Sequence, residues 1–169
     1  MPCKTEAFLM RRFRILSSVL CMALALAGVG CDDNNDREDA TAFATTSVSG
    51  NNVVPPNNSG GTGSATFDLS GTTVQFSVSL SGITGVTAVH LHSGAAAGTG
   101  PLRVILFADP GSGPVNGQLI ADSFTSSDVI GVDFSEFVNQ MRDGIIYMDV
   151  HTLGFPDGEV RGQVQPLVQ

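Results

Sequence analysis

The stretch Thr73-Val74-Gln75-Phe76-Ser77-Val78-Ser79-Leu80 decides the fold. Val74, Phe76, Val78 and Leu80 alternate with Gln75, Ser77 and Ser79. Side chains of an extended chain leave opposite faces in turn, so a period of two predicts a strand with one buried and one solvated face. Outward from it, Ser64–Leu69 places Ala65, Phe67 and Leu69 on one side. Thr87–His92, Leu102–Phe107, Gly117–Phe124, Ile145–Thr152 and Gly158–Val164 continue the series, separated by Gly, Pro, Asn and Ser clusters. Short strands at this spacing predict an all-β fold, an antiparallel Greek-key β-sandwich. Phe134, Phe137, Val138 and Met141 break the pattern with helical spacing, and Gly144 follows as a stop. A short helix is therefore expected over Asp133–Arg142.

The N-terminal part is of another kind. Lys4, Arg11, Arg12 and Arg14 precede a mostly apolar run, Ile15–Leu26, and then the small residues Ala27-Gly28-Val29-Gly30. The run is too short for the roughly 20 residues of a permanent membrane span, so residues 1–30 are expected to be a signal peptide. Cys31 follows directly, an arrangement that resembles the lipobox of bacterial lipoproteins and implies a lipid on Cys31 that would anchor the mature chain to a membrane of the cell envelope. Cleavage after Ala27 is the alternative, leaving a secreted or periplasmic soluble protein with one thiol. From Asp32 to Thr46 the chain is acidic and then small-residue-rich, which predicts a flexible tether over 31–46 and a folded domain over 47–166.

From Cys31 onward four arginines, no lysine and fifteen acidic residues leave a formal charge of −11. Such a surface repels phosphate, so no nucleic-acid partner is expected. All three cysteines lie at or before position 31. The domain thus offers no disulfide, no zinc–thiolate site and no cysteine nucleophile. With one tyrosine and no tryptophan it also has little surface for stacking on sugars.

Several spaced motifs carry a resemblance. Val48–Pro56 ends in Val53-Val54-Pro55-Pro56, and Thr87–His92 is followed by the glycine turn Gly98–Pro101. Gly144–Thr152 ends in His151-Thr152, and Gly158-Glu159-Val160-Arg161-Gly162-Gln163 closes the series. In this order they resemble the CHRD domain, a module found alone in many bacterial envelope proteins. The region preceding Cys31 is similar to the lipobox of bacterial lipoproteins, with Gly28 in the place where that family prefers Leu. The domain resemblance spans roughly Ser47 to Val164. It implies a β-sandwich of immunoglobulin-like or superoxide-dismutase-like kind, with no established catalysis. Val53 and Asp149 depart from residues usual in that family.

The chemistry lies in the histidines. His90 and His92 are two apart on one predicted strand, and Tyr147, Asp149 and His151 share a face of another. If those strands are neighbours, three imidazoles and a carboxylate converge on a site suited to copper or zinc. The alternative is that each histidine only bonds a loop carbonyl. His-x-His resembles the copper-ligand strand of the superoxide dismutases, but three histidines are too few for that enzyme. Glu159 and Arg161 form an opposite-charge pair on one strand face, read as a structural anchor in which Arg161 holds carbonyls and a carboxylate. Gly94–Gly100 lacks the lysine of a phosphate loop and is read as a turn. The expected function is an envelope-anchored binding or matrix module with a protein or matrix partner and no enzymatic activity. The alternative is a periplasmic copper- or zinc-binding protein using His90, His92, His151 and Asp149.

Overall fold

The computed structural model describes residues 40–167. The expected signal peptide, Cys31 and the expected tether through residue 39 lie outside the described residues. The strands are β1 (Ala42–Thr45), β2 (Val48–Ser49), β3 (Thr62–Ser70), β4 (Thr73–Ile83), β5 (Val86–Ser93), β6 (Leu102–Ala108) and β7 (Val115–Thr125). Among the described residues one α-helix, α1 (Phe134–Arg142), precedes β8 (Ile146–Thr152) and β9 (Val160–Pro166).

Hydrogen bonding runs in the order β6-β5-β8-β9-β1-β3-β4-β7, with β2 also joining β3 to β9. All of the pairings are antiparallel. Two halves, β6-β5-β8-β9 and β3-β4-β7, therefore meet along a seam made by β1 and β2. Their apolar faces form one core. Phe67, Val74, Phe76 and Val78 come from one half, and Val89, Leu91, Met148 and Val150 from the other. The chain crosses between these halves from β4 to β5, from β6 to β7 and again from β7 to β8. The antiparallel sandwich with one short helix is as expected.

Alternation dictates which residues enter. In β4, Val74, Phe76, Val78 and Leu80 are buried, and Phe76 stacks on Phe67 of β3, its cross-strand partner, at 6.5 Å. Helix α1 buries Phe137, Val138 and Met141, and the Phe137 ring meets Phe124 of β7 edge-on at 5.8 Å. The helix ends as its composition requires. Gly144 takes a φ of +66°, a conformation that costs glycine little, and its N–H bonds the Met141 carbonyl.

One boundary differs from expectation. The tether was expected to reach Thr46, yet Ala42–Thr45 forms β1 between β3 and β9. Phe43 lies opposite Phe67 and Pro166 and is fully buried. A single large side chain among small ones gives no periodicity, but it is enough when two strands stand ready on either side. The domain thus begins by Ala40, itself buried.

Candidate metal centre

Strands β5 and β8 are neighbours, the condition that the histidine reading needed. Their register places His90 opposite Asp149, His92 opposite Tyr147 and Ala88 opposite His151. Val89 and Leu91 point into the core, as do Ile146, Met148 and Val150. The alternate residues His90, His92, Tyr147, Asp149 and His151 therefore rise from the outer face of this half. Asp149 sits between the histidines. Its Oδ1 is 3.2 Å from His151 Nε2 and 3.5 Å from His92 Nε2. The His90 ring lies 5.7 Å from that of His92 and 5.0 Å from that of His151. One ligand atom from each of the four residues falls within 4.8 Å of all the others.

Loops on both sides aim the rings. His92 Nδ1 is 3.0 Å from the Gly100 carbonyl, and His151 Nδ1 is 2.8 Å from the Pro156 carbonyl. A carbonyl can only accept, so each Nδ1 carries the proton and donates it. In a neutral ring Nε2 is then a bare lone pair. Two such lone pairs face one carboxylate oxygen, acceptor against acceptor, and the contact becomes favourable only with a proton or a cation between them. His92 Nε2 is buried and has no hydrogen-bond partner.

The titrations reflect the same crowding. The hydrogen bond to Asp149 raises the His151 pKa above the ordinary histidine value, outweighing burial. Burial, followed by the nearby His151 charge, pushes His90 down. One carboxylate cannot hold three imidazolium ions. Side-chain exposures of 16% for His92, 13% for Asp149 and 18% for His151 leave the cluster sheltered but reachable from solvent.

Arg161 and Glu159 are not paired. Glu159, 7% exposed, accepts from the Ser59 hydroxyl at 2.8 Å and the Thr152 hydroxyl at 2.7 Å. Arg161, 3% exposed, donates to the carbonyls of Gly98 and Ala95 at 2.7 and 2.8 Å. It holds carbonyls as expected, but no carboxylate. Glu159 immediately precedes β9, at the loop end, and is taken by two hydroxyls there. Arg161, two residues further on, lies beneath the glycine-rich segment.

Gly94–Gly100 is the connection between β5 and β6, and it also folds back over the outer face. Gln163 Nε2 donates to the Gly94 carbonyl, and the Gly100 N–H donates to the Tyr147 hydroxyl. A Cβ on Gly100 would lie 1.6 Å from the Ser93 carbonyl oxygen, and one on Gly94 would lie 2.9 Å from the Tyr147 ring. Glycine is what lets this backbone lie against the sheet. Pro156 lay outside the motifs, and Tyr147 and Gly100 lay within them without an assigned role. The Tyr-x-Asp-x-His alternation was the one available sign.

The CHRD domain profile matches residues 44–164, from within β1 to within β9. No curated protein matches the chain, and no solved structure does.

Proposed function

This chain belongs to the CHRD-domain family, and from that premise we propose that it is an envelope-anchored, non-catalytic module that binds a divalent zinc or copper ion. His90, His92, His151 and Asp149 are the ligands. The reading rests on one observation, the convergence of one donor atom from each of these four side chains within 4.8 Å. Three neutral imidazoles and one carboxylate match the donor preferences of both ions. The Nδ1 bonds to Gly100 and Pro156 are the outer hydrogen bonds that metal-ligating histidines commonly make. Four protein ligands resemble a closed structural site more than a catalytic one, which keeps an open position for substrate. Such a site is compatible with a binding or matrix role, since the ion would cross-link β5 to β8 beneath two loops. The envelope location rests on the export signal and Cys31.

Metal analysis of untagged protein, beside a His90→Ala/His92→Ala variant, tests this. Wild type should take up one equivalent of zinc or copper, and the variant almost none. An ion bound only by the native state at 100 times its Kd should also add about 2.7 kcal/mol of stability, reversed by a chelator. Equal and negligible metal in the two proteins would overturn the proposal.

A further inference from the structure

Arg161 is a buried cation whose hydrogen bonds go to carbonyls, and no carboxylate pairs with it among the described residues. Holding a loop is only part of what its position allows. Its guanidinium carbon lies 3.5 Å above the centre of the Tyr147 ring. Tyr147 in turn stacks on His92, with the planes 8° apart and the centres 5.2 Å apart. Strand β8 lies between β9 and β5, so Arg161 and His92 approach Tyr147 from opposite sides. The result is a three-layer stack of guanidinium, phenol and imidazole, running from β9 to a proposed metal ligand.

A second connection joins the same two residues. Arg161 fixes the Ala95 and Gly98 carbonyls, and the same segment ends at Gly100, whose carbonyl takes the His92 Nδ1–H. The Gly100 N–H bonds the Tyr147 hydroxyl at 3.3 Å, tying the segment to the stack. The ring plane of His92 is thus set by Tyr147 and its tautomer by Gly100. Both controls trace back to one guanidinium.

We propose that Arg161, acting through Tyr147 and the Gly94–Gly100 segment, is the positioning residue of the metal centre, holding His92 with Nε2 toward the ion. The inference rests on the metal-binding reading above for its effect on affinity, but the hold on His92 exists without metal. Only arginine meets all the demands of the place: a planar face for the ring and two N–H groups directed at two carbonyls. Lysine keeps the charge and loses both geometries. Phenylalanine at 147 keeps the stack and loses the hydroxyl, whereas leucine loses the stack.

Zinc titration of Arg161→Lys, Tyr147→Leu and Tyr147→Phe, with nitrogen NMR of the histidine rings in the metal-free proteins, tests the proposal. Loss of such outer partners commonly weakens metal binding by about 10–100-fold. That loss is expected for Arg161→Lys and Tyr147→Leu, while Tyr147→Phe should lose less than about 10-fold, since it keeps the stack. In the metal-free wild type His92 should show one tautomer, protonated at Nδ1, and in Arg161→Lys a mixture of both. Wild-type affinity and an unchanged His92 signal in Arg161→Lys would overturn the proposal. If that variant does not fold, equal zinc affinity of Tyr147→Leu and Tyr147→Phe would overturn it instead. If wild type binds no metal while Arg161→Lys still mixes the His92 tautomers, the metal reading fails and the positioning stands.

Discussion

Asp149 is the residue on which the charge balance of the outer face turns. It raises the His151 pKa by a direct hydrogen bond, while burial lowers that of His90. In the metal-free protein His151 should therefore keep its proton to higher pH than His90, as NMR titration of the ring protons would read. Asp149→Asn should bring the His151 midpoint down, and an unchanged midpoint would contradict the assignment. The stability consequence has a definite sign. A histidine whose folded pKa is raised contributes stability that is fully present below the ordinary value near 6.5, and loses it as pH rises through the folded value. His90, with a lowered folded pKa, works in the opposite direction, so the metal-free domain gains less from acid than His151 alone would provide. In the proposed metal site, zinc or copper would replace the proton as the positive partner of Asp149, so uptake should weaken as the rings protonate.

Among the elements, β1 shows how little local signal a strand needs. Its four residues, Ala42-Phe43-Ala44-Thr45, contain one large apolar side chain. That side chain is fully buried between β3 and β9 and closes the seam of the sandwich. Phe43→Ala should cost about 3–5 kcal/mol, read as a lower urea midpoint, because the void cannot be filled by strands held in register on both sides. A change within error would return residues 42–45 to the tether. β3 to β9 were legible because each carries its own alternation, and α1 because Phe134, Phe137, Val138 and Met141 repeat at helical spacing. β1 and β2, at four and two residues, are too short to display a period. The β5–β6 connection was legible as a turn from its glycines, but not as a cover for Tyr147, since covering is a relation to a strand more than forty residues away.

For the whole molecule, the proposed export segment bears on where the domain works. Mass spectrometry of the mature N-terminus is expected to find a diacylated Cys31. A mature chain that begins elsewhere, or carries an unmodified thiol, would overturn the lipid anchor. What the sequence determined by itself is everything that depends on near neighbours: the strand and helix segments, the sandwich class, the family resemblance, and the pairing of His90 with His92 and of Asp149 with His151 on single faces. Backbone alternation is a local property, so those assignments need no partner. Tertiary structure alone decided the rest. His90 meets Asp149 because β5 and β8 are adjacent with one register, and a shift of one residue would turn that face inward. Arg161 leaves Glu159 for two loop carbonyls and Tyr147 because the β5–β6 segment folds over β8 and β9. Register and loop packing are settled by the burial of the whole core, which no single stretch of chain contains.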